Sequence, residues 1–360
     1  MKPLWRKQNL KKVEYNNLKV IAILLVLLSH STYYTIMTNF GGINYEQWLL
    51  SDNSVFLFKA IDKLREVIYY FHMPLFMAIS GAFFQMQVKK NKWVNLSPLI
   101  LAKSKRLMIP FIIFTLFYTI PVKYISNYFS NTDMMSAVVG QLFLLGNSHL
   151  WYLYALFIIF IIAYFVLRKD SGIWVLLFVG LLHVISYKIE ITLIKAPIQF
   201  LFYFALGVIF EQKREAYNKF LDNKKNFIGI LILGFILLTL FNWQIKKYSN
   251  FSSKLIVEIL AIYGSLLTYT IAYYLSKSTK LMNTKLYQLI LENGLGIYIF
   301  SDTLNYLILY VVFNLGGGFM FTSYGIILMV IIRFIGTLYL GLGLTIVFKK
   351  LFPNYQWLVN

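Results

Sequence analysis

The chain predicts an all-α fold, a polytopic membrane helix bundle of about ten transmembrane helices. Three observations predict it. Of 360 residues, 59% are apolar and only 13% are charged, whereas globular chains carry about 45–50% apolar and about 25% charged residues. So few charges cannot cover soluble domains of this length. Aromatic residues, counted within that apolar share, make up 18% of the chain, amphipathic bodies suited to a lipid boundary. Lastly, apolar stretches recur at close to the ~20 residues that cross ~30 Å of hydrocarbon.

The spans run, in order, over 18-36, 68-88, 107-126, 149-167, 172-190, 196-211, 226-244, 254-276, 289-315 and 322-348. The first is continuous from Leu18, the second carries Pro74, and the third opens beside Pro110. The sixth is short, and the apolar patch from Met134 to Leu145 reads as re-entrant or interfacial. The longest loop is expected at 37-67, so no extramembrane catalytic domain is expected and 1-360 reads as a single unit.

Charge placement orients the bundle. With the N-terminus inside, 24 Lys and Arg residues fall on the inner segments and 9 on the outer ones, Arg333 lying within a span. This split follows the positive-inside rule and puts both termini in the cytoplasm of a multi-pass cell-membrane protein. The net charge of +20 is therefore a topology and anionic-lipid signal, with the lipid bilayer as partner and no nucleic acid. A cleavable signal peptide is not expected, because the first apolar stretch is long and no small-x-small site follows it before Tyr33 and Tyr34. The chain contains no cysteine, which excludes disulfides, Cys-ligated zinc, iron–sulfur clusters and a thiol nucleophile. No Cys/His metal spacing, GxGxxG or Walker loop occurs, so neither a metal nor a permanently bound cofactor is expected and an ATP-driven machine is set aside.

Chemistry must then come from polar groups within the helices, which are costly there and are functional candidates by default. Eleven residues after Lys19 comes His30, about 18 Å beyond the inner boundary. A neutral imidazole at that depth suits a general base; it suits equally a core histidine bonded between helices. The second span begins with the stretch from Tyr69 to Gly81, in which Pro74 kinks the helix and Ser80 with Gly81 admits another backbone. His72 near its outer mouth is either a substrate contact or an interfacial histidine. Lys103, Lys105 and Arg106 precede Pro110; the pair spaced by three shares a helix face able to grip phosphate, as snorkelling anchors also would. Asn147, Ser148, His149 and Trp151 open the fourth span, a composition that suits a sugar ring or an aromatic belt. Asp302 lies about 20 Å up the ninth span and Arg333 about 14 Å above the inner face. Unpaired charges there are expensive, so Asp302 is expected to pair with Arg333 or to orient His30.

These motifs together resemble the membrane-bound acyltransferase-3 family, of the polysaccharide O-acyltransferase type without a fused esterase-like domain. The resemblance runs through the Lys19-to-His30 segment, FHMPLFMAISG, KSKRLMIP, HLWYL, FYFALG and ENGLGIYIF, in the family's order. It implies that His30 is the catalytic histidine and that Lys103 with Arg106 engages acyl-CoA from the cytoplasm. The family usually has Asp and Arg where this chain has Asn16 and Lys19, and Arg where Lys103 stands. Ser301 and Asp302 follow GLGIYIF, where the family often has a histidine.

The expected activity is transfer of an acyl group, acetyl by resemblance, from cytoplasmic acetyl-CoA or another acyl-CoA to a hydroxyl of a cell-envelope or secreted polysaccharide. His30 and Asp302 are the expected catalytic pair; Lys19, Lys103 and Arg106 hold the donor. His72, Ser80, His149, Trp151 and Arg333 are expected near the substrate. An oxyanion stabiliser from Ser29, Ser80 or a tyrosine is also needed. Two alternatives use the same residues: a polysaccharide or lipid-linked sugar transporter without acyl transfer, and a scaffold in a polysaccharide synthase complex.

Overall fold

A computed structural model of the chain describes residues 12–38, 40–145, 148–168, 172–278 and 280–360. Asn147 and most of the basic N-terminal segment lie outside these residues. Every predicted span contains a helix, and 81% of the structure is helical. The helices are α1 (Val13–His30), α2 (Asp52–Val88), α3 (Leu96–Ile125), α4 (Met134–Leu142) and α5 (Trp151–Val166). They continue with α6 (Ile173–Ser186), α7 (Thr192–Asn223), α8 (Phe227–Ile245), α9 (Asn250–Ser276), α10 (Lys285–Gly316) and α11 (Ser323–Leu351). Among the described residues eight helices are long and apolar enough to cross a membrane, and α5 and α6 are shorter apolar helices. The chain is an all-α polytopic bundle.

Several boundaries differ from the sequence expectation; α1 ends at His30, so residues 31-36 of the first predicted span lie beyond it. The loop expected at 37-67 holds a two-stranded antiparallel hairpin, β1 (Thr35–Thr38) with β2 (Gly41–Asn44), and then the first turns of α2. Ser51 starts α2 by accepting a hydrogen bond from the Ser54 backbone N–H at 3.2 Å. Its first turns carry charged i,i+3 pairs, Asp62 with Arg65 and Lys63 with Glu66, which support a helix but lower its hydropathy. Likewise α7 continues through charged residues to Asn223, well past the short apolar core at 196-211. The patch from Met134 contains the nine-residue α4, capped by Asp133.

Glycines fix the close crossing of α2 and α7. A Cβ on Gly81 of α2 would stand 2.0 Å from the Phe204 carbonyl oxygen, and one on Gly207 of α7 would stand 2.0 Å from that of Ala78. Each helix thus lacks a side chain where the other's backbone passes. Around this crossing Met77, Phe84, Leu153, Ile159, Phe204 and Val208 form the largest buried cluster.

Prolines and kinks shape the site walls. Pro110 cannot donate to the carbonyl four residues earlier, that of Arg106, and the backbone makes a π-turn over Ser104–Met108. Inside α10, Asn293 leaves helical geometry at φ −116°, ψ 15°. Its side-chain amide donates to Leu289 O at 2.8 Å while its oxygen accepts from Lys349 of α11 at 2.8 Å. The ENGLGIYIF motif is therefore a bent helix that carries Tyr298 and Asp302 toward α1.

Candidate active site

His30 is the last residue of α1, and its Nδ1 lies 2.7 Å from Asp302 Oδ1. The carboxylate is an acceptor, so Nδ1 carries a proton, and in the neutral imidazole Nε2 keeps its lone pair. The Asp302 side chain is 4% exposed against 23% for His30, so the carboxylate sits behind the imidazole. Tyr33 donates its hydroxyl to the same Oδ1 at 3.4 Å. His149 approaches from another side, with Nδ1 3.7 Å from Asp302 Oδ2, beyond hydrogen-bonding distance. Its Nε2 donates to Ile299 O at 2.9 Å.

Arg333 takes a different place from the Asp302 partnership offered by the sequence. It is fully buried, donates from Nη2 to His30 O at 2.8 Å and from Nε to Asn305 Oδ1 at 3.2 Å, and donates from Nη1 to Tyr33 O. Its guanidinium carbon stands 4.5 Å above the Tyr33 ring. Helix C-termini leave carbonyls without partners and carry a partial negative charge. Arg333 answers both needs at the end of α1 and so fixes the backbone of His30.

Two cavities divide the remaining candidates. One of about 580 Å³ is lined by His30, His72, His149, Trp151 and Asp302. His72 is buried and contacts the Ile68 carbonyl through Nδ1 at 2.9 Å. Trp151 packs beside Phe200 with ring centroids 5.0 Å apart, two aromatic faces on one wall. The other cavity, of about 430 Å³, is lined by Lys19, Ser80, Lys103 and Arg106, with Glu292 its exposed acidic side chain. None of the three cations joins an ion pair among the described residues. Lys19 Nζ lies over the Phe83 ring at 4.5 Å, and buried Lys103 lies over Phe160 at 3.5 Å. Arg106, on the π-turn, is exposed. Ser80 thus stands with the cations and not with His72, its hydroxyl 3.0 Å from that of Tyr152. Ser29 lines neither cavity and donates to Val26 O at 2.9 Å.

The acyltransferase domain model Acyl_transf_3 matches residues 12–349. The chain belongs to this acyltransferase family. It is a multi-pass membrane acyltransferase, and the match takes in His30, Lys103, Arg106 and Asp302 together. No curated protein and no solved structure matches the chain.

The acyltransferase also has polar residues that motif reading passed over. Glu258 of α9 lines the larger cavity, accepting hydrogen bonds from the Tyr187 and Tyr203 hydroxyls, with His183 Nε2 3.1 Å away. An acidic residue inside the predicted span 254-276 was the available signal. Tyr33 and Asn305 carried none, being one aromatic among many and one amide in an apolar run.

Proposed function

We propose that this acyltransferase takes an acyl group, acetyl in the first instance, from acyl-CoA on the cytoplasmic side of the cell membrane. It delivers the group to a hydroxyl of a cell-envelope or secreted polysaccharide, acting as one unit over 1-360 with both termini inside. One observation carries the reading: a cavity lined by three cations that form no ion pair among the described residues adjoins a cavity holding a carboxylate-backed imidazole. Lys19 and His30 are eleven residues apart on α1, about 16 Å along its axis, a separation that suits a nucleotide at one end and a thioester at the other.

In this scheme Arg106, with Lys19 and Lys103, holds the CoA phosphates by charge-assisted hydrogen bonds. The pantetheine arm brings the thioester carbonyl to His30. His30 Nε2 takes the proton of the acceptor hydroxyl as its oxygen attacks the carbonyl carbon, while Asp302 steadies the imidazolium. The C–S bond breaks, and the proton passes from the imidazolium to the leaving thiolate. The acceptor enters the larger cavity, where the Trp151 and Phe200 faces suit a sugar ring and His72 and His149 lie nearby.

Mass spectrometry of envelope and secreted polysaccharide, from cells with the wild-type chain and with His30→Ala, tests the acceptor. Loss of an acyl mass increment with His30→Ala is expected. Identical polysaccharides would refute this acceptor and return attention to a transporter.

A further inference from the structure

Met73 and Tyr298 line both cavities. On the smaller side they stand with Lys103 and Arg106, and on the larger side with His30 and Asp302. Any group passing from the cations to the imidazole meets this pair. We propose that Met73 and Tyr298 form a two-residue partition through which the acyl group is threaded, and that its aperture selects donors by the width of the acyl group. The proposal rests on the acyl-CoA reading above.

The two sides of the partition differ in freedom. Tyr298 is held: its hydroxyl donates to His149 O, and its ring packs edge-on against Tyr152 with centroids 5.7 Å apart. It also sits one turn before Asp302 on α10, so displacing it disturbs the carboxylate behind His30. Met73 has an unbranched side chain with three rotatable bonds and is partly exposed to the cavities. It immediately precedes Pro74, where α2 lacks a backbone hydrogen bond. Met73 is therefore the movable leaf and Tyr298 the fixed post. A methionine can swing aside for a slim chain, but a branched or aromatic acyl group must force both. The cavity beyond has about 580 Å³, so chain width at the partition discriminates more strongly than chain length.

The absence of native cysteines allows a test that needs no enzymatic activity. Ser80→Cys reports on the cationic cavity and Met37→Cys on the other. A membrane-impermeant methanethiosulfonate is applied from the side at which Met37→Cys is labelled. Ser80→Cys should stay unlabelled with Met73 present, label at the rate of the Met37→Cys control with Met73→Ala, and return to unlabelled with Met73→Leu. Labelling of Ser80→Cys beside intact Met73, or no gain with Met73→Ala in a folded protein, overturns the partition. In parallel, Met73→Ala should raise the ratio of isobutyryl-CoA to acetyl-CoA cleavage about tenfold, the scale on which a pocket discriminates added methyl groups; an unchanged ratio overturns the width selection. If wild type cleaves neither donor, the acyl-CoA reading and its width selection fail, while the labelling still decides the partition.

Discussion

His30 Nδ1 and Asp302 Oδ1 lie 2.7 Å apart, bringing the end of α1 against the middle of α10. This contact assigns an imidazole proton to Nδ1 and, in the neutral ring, leaves Nε2 as the free nitrogen for the proposed proton transfer. Asp302→Asn keeps the volume but offers an amide that can present its N–H to the ring, favouring the wrong tautomer. Thioester cleavage should fall by about 10²- to 10⁴-fold, the worth of a general base, with the donor KM nearly unchanged. A change confined to KM would remove Asp302 from the imidazole's service.

Arg333 acts on the backbone of His30 and not on the Asp302 carboxylate. Charge exchange, Asp302→Arg with Arg333→Asp, therefore should not restore function. Arg333→Gln alone removes a buried cation from two carbonyls and Asn305, and each buried acceptor left unsatisfied costs about 1–3 kcal/mol. A lower thermal unfolding midpoint in detergent, together with lost activity, is expected. Full rescue by the charge exchange would mean that the two side chains are partners after all.

The cations should behave as a phosphate clamp. Arg106→Ala should weaken acyl-CoA binding by about 1.5–3 kcal/mol, roughly ten- to a hundredfold, and the residual affinity should depend less on salt. Titration with dephospho-CoA should show a smaller penalty than titration with CoA if Arg106 contacts the 3′-phosphate. Unchanged affinity for both would leave Arg106 a topology anchor.

The bundle was legible in the sequence because hydropathy reports burial in lipid, and each predicted span does contain a helix, although the first ends at His30, before the strand that begins at Thr35. What hydropathy could not report was helix continuing through charged residues. Hence the starts of α2 at Asp52 and the end of α7 at Asn223 lay outside the predicted spans. For the site, costly polar residues in apolar runs pointed to His30, Asp302 and Arg333, but linear depth could not say which faced which. Asp302 and Arg333 are about one turn apart in depth by that arithmetic, yet rotation of α10 and α11 about their axes decides their partners. Met73 and Tyr298 were illegible for another reason: a partition is defined only by the two spaces it separates.

The central claim is acyl transfer from CoA through His30. The direct measurement is release of free CoA from acetyl-CoA by the purified chain in nanodiscs, with His30→Ala alongside. Thioester cleavage by wild type that drops by about 10²-fold or more in a folded His30→Ala protein is the predicted result. Cleavage within threefold of wild type, or none from either protein with acceptor polysaccharide present, would contradict it.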